Sequence, residues 1–217
     1  MSSTTLLQTL SITTSLLASG SILTLSFFII PMLQSQPASR SLPQLRWLFS
    51  RGSHVFPLAA FMCGVGFWYL SHTSLPLGES ILGLFNVFQN SSTTNGYLAA
   101  GVLCMSIAPV TSLMIPTNFE LIAINENLGG ARSSKSAKEG RKGEEGGSAE
   151  DSVEGKGDVN EFTDLSGPQG KTDREGSEAD ERRAKELLGK FKWLNSVRGY
   201  LIGAGGVVGL LSALGSL

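Results

Sequence analysis

Apolar residues gather into four windows along the chain, Leu16–Leu33, Val55–Leu70, Tyr97–Ile115 and Tyr200–Leu217. Roughly 20 apolar residues at 1.5 Å rise are needed to cross about 30 Å of hydrocarbon, so three of these windows read directly as membrane helices. The second is shorter, but Pro57 suits a helix start and Trp68 with Tyr69 suits an aromatic anchor at the far interface. A signal peptide does not account for the first window, because Met1 to Ala38 holds no Lys or Arg and the apolar run is too long. The pattern predicts an all-α membrane protein, a four-transmembrane-helix bundle.

The remaining pattern predicts three further pieces. Ser80–Phe88, "SILGLFNVF", is apolar but too short to cross and reads as an interfacial or re-entrant cap. From Gly129 to about Asp180 no apolar period survives, and a Gly/Ser/Glu/Lys-rich stretch predicts a long disordered cytoplasmic loop before the last span. Near Glu181 a helical spacing returns with Leu187, Phe191, Leu194 and Val197, predicting an amphipathic helix along the interface that leads into the last span. The chain thus divides into 1–128 with three spans, 129–180 as loop, and 181–217 with the amphipathic helix and fourth span.

Composition alone conceals this division, since 217 residues with a net charge of -1 look like an ordinary soluble domain. Acidic residues number one before Asn118, namely Glu79, and 17 after it. The expected first loop carries Arg40, Arg46 and Arg51, and the third is flanked by Arg132, Lys135 and Lys138 and by Arg182, Arg183, Lys190 and Lys192. Lys and Arg favour the cytoplasmic side, so both termini are expected to be non-cytoplasmic. The sequon Asn90-Ser91-Ser92 then falls where glycosylation is possible. An endomembrane such as the endoplasmic reticulum is the expected location.

Few residues offer chemistry. Cys63 and Cys104 lie in mid-window with no CxxC and no nearby His, which supports neither a zinc site nor a disulfide framework. There is no phosphate loop, no nucleophile elbow and no nucleic-acid motif. The spacing Gly205-x-x-x-Gly209 permits close helix approach, within the bundle or between copies in a homo-oligomer. The predicted topology brings His54, Asn118, Asn195 and Arg198 to one end of the bundle and His72 to the other. Asn195 and Arg198, three apart, share a helix face. Apolar walls with convergent polar groups are the general form of a small-molecule site.

"IAPVTSLMIPTNFEL" and "LLGKFKWLNSVRGYLIGAGGVVGL" resemble the anthrone oxygenase family of fungal polyketide pathways, small membrane proteins of a broader group once known only as a domain of unknown function. The matching elements are Ala108-Pro109-x-Thr111, Pro116-Thr117-Asn118-x-x-Leu121 and Leu194-Asn195-x-x-Arg198. Gly20, Pro31, Trp47, Arg51-Gly52 and Pro57 agree more loosely. The chain departs from the family in its long 129–180 insert and in Phe191, where Trp is common.

The resemblance implies oxidation of an anthrone, an aromatic polyketide, to an anthraquinone, with O2 as co-substrate and no other cofactor or metal. His54 would be the base, Arg198 the charge partner of the oxyanion, and Asn118 and Asn195 orienting donors. Trp47, Arg51, Thr117 and Trp193 would contact the substrate. The competing expectation is a non-enzymatic membrane protein that binds lipid or stabilises a membrane complex. A transporter is disfavoured by the absence of an internal repeat and of charge in mid-membrane.

Overall fold

The computed structural model describes residues 2–139 and 164–216, whose regular structure is all helical, with no strand among them. Four helical stretches are long and apolar enough to cross a membrane: Ser3–Gln34, Ala38–Thr73, Ser92–Asn127 and Glu178–Ala213. Large apolar side chains stand exposed on all four, among them Leu17, Met62, Leu113 and Val207. Exposed apolar side chains of that kind suit lipid rather than water. The chain is an integral membrane protein.

The first stretch comprises α1 (Ser3–Thr24), a π turn (Leu25–Ile29) and α2 (Ile30–Gln34). Pro31 explains the π turn, because its ring would collide with the carbonyl four residues earlier, and a wider turn relieves the clash. The third stretch divides into α4 (Ser92–Met105) and α5 (Ile107–Asn127), with Ser106 as the C-cap of α4. Pro109 falls in the first turn of α5, where its missing N–H costs nothing. α5 ends where Gly129 adopts φ 78° and its N–H donates to the Glu126 carbonyl at 2.8 Å. Only glycine takes that left-handed cap without strain.

One expectation about a loop is corrected. The Arg-rich first loop is helix instead: α3 runs unbroken over Ala38–Thr73, because Leu42, Leu45, Leu48 and Phe49 repeat at helical spacing and pack into a core. The segment near Glu181 and the last span form one helix, α7, from Glu178 to Ala213. Ser177 starts it, donating its N–H to Asp180 Oδ2 at 2.9 Å and accepting the Asp180 N–H at 3.2 Å. Glu178, Asp180 and Glu181 in its first turn complement the positive end of the helix dipole.

These helices contribute to two compact units. One comprises Met1–Thr24, Phe56–Ser112 and Asn195–Leu217. Its core joins Ile12 and Ile22 of α1, Cys63 and Phe67 of α3, Tyr97 and Cys104 of α4, and Ile202 of α7. Gly205 and Gly209 are spent inside this unit. A Cβ on Gly205 would stand 2.8 Å from Cys104 Sγ, and one on Gly209 would stand 2.3 Å from Phe67 Cε1. Ser19 Oγ donates to the Gly199 carbonyl at 2.8 Å and Gln8 Nε2 to Tyr97 Oη at 2.7 Å, tying α1 to its neighbours.

The other unit comprises Leu25–Val55 and Leu113–Leu194. Its core joins Ile30 and Leu33, Leu42 and Leu45, Met114 and Leu121, and Leu187, Leu188 and Phe191. The middle of the expected disordered loop, residues 140–163, lies outside the described residues. Its flanks are held by hydrogen bonds. The Thr172 N–H donates to the Ser39 carbonyl at 2.8 Å, the Arg174 N–H to Leu128 at 3.0 Å, and the Ser134 N–H to Gly167 at 2.9 Å. The Ala131 N–H donates to Gln169 Oε1 at 2.6 Å, and Ser133, in the turn before α6 (Ser134–Lys138), donates its hydroxyl to Asp164.

Asp164 is buried. Burial pushes its carboxyl up, but the hydroxyl of Ser133, the hydroxyl and N–H of Ser166 and the charge of Arg51 outweigh that and hold it below the usual range. A folded pKa below the unfolded one adds stability at neutral pH, which is lost as pH falls through the depressed value. Hydrogen exchange is therefore expected to show residues 131–136 and 164–167 protected at neutral pH and opening together in acid, ahead of the helical core. In Asp164→Asn the same segment should open at neutral pH, and unchanged protection in that variant would remove Asp164 from this role.

Candidate functional site

The buried face of α5 runs through Met114, Thr117, Leu121 and Asn125, at helical spacings of three and four. Two of these residues are polar. Thr117 is only 1% exposed, and its Oγ1 has no hydrogen-bond partner among the described residues. Its neighbour Asn118 is half-buried, and Oδ1 there is likewise without a partner. Leaving a hydroxyl buried and unpaired costs about 1–3 kcal/mol, so Thr117 is a polar group to be explained.

Thr117 lines a cleft of about 280 Å³ between α5 and α7, together with Pro116, Glu120, Arg183, Glu186, Leu187 and Lys190. Pro116 and Leu187 supply apolar walls. Arg183 clasps Glu120 with both prongs, Nε to Oε1 at 2.5 Å and Nη2 to Oε2 at 2.8 Å, and its Nη1 reaches Glu186 Oε2 at 2.9 Å. Such a bidentate pair fixes the guanidinium in direction as well as in place. The volume is just below the usual range of ligand pockets, about 300–1,000 Å³.

The residues singled out from sequence fall into several places. Thr117 is in the cleft and Asn118 adjoins it on α5. Trp47 and Arg51 come together on α3, the guanidinium 4.7 Å from the indole centroid, and both bind the far flank of the 129–180 segment. Trp47 Nε1 donates to the Ser166 carbonyl at 2.9 Å and Arg51 Nη2 to the Asp164 carbonyl at 2.6 Å. His54 is exposed on α3, in the same unit as the cleft. Trp193 is 68% exposed on α7.

Asn195 and Arg198 belong to the other unit and are both buried. Asn195 Nδ2 donates to the Ile22 carbonyl at 3.1 Å, and Arg198 Nη1 donates to Asn195 Oδ1 at 3.4 Å. His72 stands exposed in the last turn of α3, also in that unit. Among the described residues, no three His, Cys, Asp or Glu side chains are grouped so as to hold a metal ion.

Glu120, Arg183, Glu186 and Lys190 were not among the expected site residues. A signal for three of them exists, since Arg183, Glu186 and Lys190 recur at three and four along one helix face. Glu120 is the first acid after a long uncharged stretch, within the polar close of α5.

A family model described as anthrone oxygenase matches residues 45–208. No curated protein and no solved structure matches the chain.

Proposed function

The chain belongs to the anthrone oxygenase family, and we propose that it oxidises an anthrone to the corresponding anthraquinone with O2 in polyketide metabolism. The observation that carries this reading is the family match, whose span includes the whole α5–α7 cleft. The methylene opposite the ketone of an anthrone is acidified by two aromatic rings. A base takes one of its protons, and the anthrolate that remains, aromatic in its central ring, passes an electron to O2. Recombination gives a hydroperoxide at that carbon, and loss of water leaves the second ketone. One O2 is consumed, one oxygen atom stays on carbon, and the other leaves as water with the two methylene hydrogens.

This chemistry needs a binding wall, a proton acceptor and a partner for the oxygen that becomes anionic. In our reading Pro116 and Leu187 flank the rings, the Thr117 hydroxyl donates to the ketone oxygen, and Arg183 with Lys190 offsets its growing charge. His54 is the proton acceptor. O2 is the only co-substrate, and no resident cofactor takes part. The test is oxygen uptake alongside anthraquinone formation by membranes containing the protein, with a panel of anthrones. Equimolar uptake and product, unchanged by a chelator, is expected. Loss of turnover on chelation would overturn the metal-free route, and inertness towards every anthrone would favour a lipid-binding or complex-stabilising role.

A further inference from the structure

The segment between the end of α3 at Thr73 and the start of α4 at Ser92 carries large apolar side chains in the open. Leu77 is 106% exposed, Phe88 102% and Phe85 77%, with Ile81 and Leu82 close behind, while Leu84 is tucked in. Residues Ile81–Phe85 form a 3₁₀ turn. Exposure of five such side chains within twelve residues is not what a water-facing loop presents.

Several backbone groups of this segment are paired from within. The Gly83 N–H donates to the Ser80 carbonyl at 2.8 Å and the Asn86 N–H to Gly83 at 3.0 Å. Asn90 Nδ2 donates to the carbonyls of Gly83 and Leu84, at 3.0 and 3.3 Å, and Asn95 Nδ2 to that of Val87 at 2.6 Å. Ser91 caps α4 by accepting the Thr94 N–H at 3.2 Å. Non-helical backbone tolerates an apolar environment only when its polar groups are paired in this way. The one charge, Glu79, folds back against Gly83.

Location supplies the occupant. The helices before and after the segment are each long enough to cross a bilayer, so a short connection between them lies at a membrane surface. Tyr69, 60% exposed near the end of α3, is the type of residue found at that depth. We propose that residues 77–88 form a wedge that inserts Leu77, Ile81, Leu82, Phe85 and Phe88 into the headgroup–acyl boundary of the lipid leaflet. Asn90 then acts as the internal clasp of the wedge, its amide donors turned to the backbone of the turn.

The full chain carrying Phe85→Cys, with Cys63 and Cys104 replaced by Ala, is spin-labelled in phosphatidylcholine nanodiscs holding one copy each. Collision rates with O2 and with a water-soluble nickel complex report depth. Leu113→Cys serves as the lipid-facing reference and Lys171→Cys, exposed and outside the four long helices, as the aqueous one. The expected result is an O2-to-nickel ratio at Phe85 well above that at Lys171 and below that at Leu113, as a position at the headgroup–acyl boundary requires. A ratio like that at Lys171 would place the segment in water, and shielding from both reagents would mean that protein covers it. Either outcome overturns the proposal. Adding Leu82→Asp and Phe88→Asp should shift the Phe85 label towards the aqueous ratio while the chain remains membrane-inserted.

Discussion

Replacing His54 by alanine is expected to slow anthraquinone formation by about 10²–10⁴-fold, the range for losing a general acid–base group. His72→Ala should leave the rate within a few-fold. The chain has two histidines, both exposed on α3, so loss of an imidazole as such is matched between the variants. They differ in the unit to which each belongs: His54 shares one with the α5–α7 cleft, and His72 does not. An exposed histidine has little packing to lose, so neither change should lower the amount of protein in the membrane. Product is measured under air, corrected for spontaneous oxidation, at equal amounts of protein. Equal damage from both substitutions, or none from His54→Ala, would take the proton-acceptor role away from His54.

The four spans were legible because apolar windows depend on local composition. Their ends were not, since Arg40, Arg46 and Arg51 read as loop charges. In the structure Arg46 is 2% exposed within α3. The period of Leu42, Leu45 and Phe49 carried the better signal there, and it outlasts the window that hydropathy selects. Thr117 was reached through the resemblance, as part of Pro116-Thr117-Asn118, and not through its own position in the apolar run. Its partners in the cleft were not reached, because the Glu120–Arg183 pair depends on how α5 and α7 pack across a long insert. The ties of Trp47 and Arg51 were invisible for another reason: both side chains donate to backbone carbonyls, and a carbonyl leaves no trace in composition.

Arg183→Ala is expected to lower kcat by about 10²–10³-fold, by comparison with the loss of a single oxyanion donor. Two effects act in the same direction. A cation near the developing anion disappears, and Glu120 and Glu186, both paired with Arg183, become uncompensated negative charges lining the same cleft. Collapse of the fold is a poor explanation for such a loss. Arg183 and Glu120 are 45% and 41% exposed, and an ion pair that open contributes only about 0–1 kcal/mol to stability. Arg183→Lys keeps the charge but not the two-pronged clasp, so it should recover part of the rate. Thr117→Val, which removes the buried hydroxyl at nearly constant volume, should raise KM and lower kcat without loss of protein. Arg198→Ala belongs in the same series, because Arg198 was the charge partner expected from sequence. If Arg183→Ala is harmless and Arg198→Ala is severe, the anion is met at the Asn195–Arg198 pair and the cleft is not the catalytic seat. If Arg183→Ala is severe, Arg183→Lys recovers in part and the thermal midpoint is unchanged, the cleft holds the substrate and the charge that forms on it.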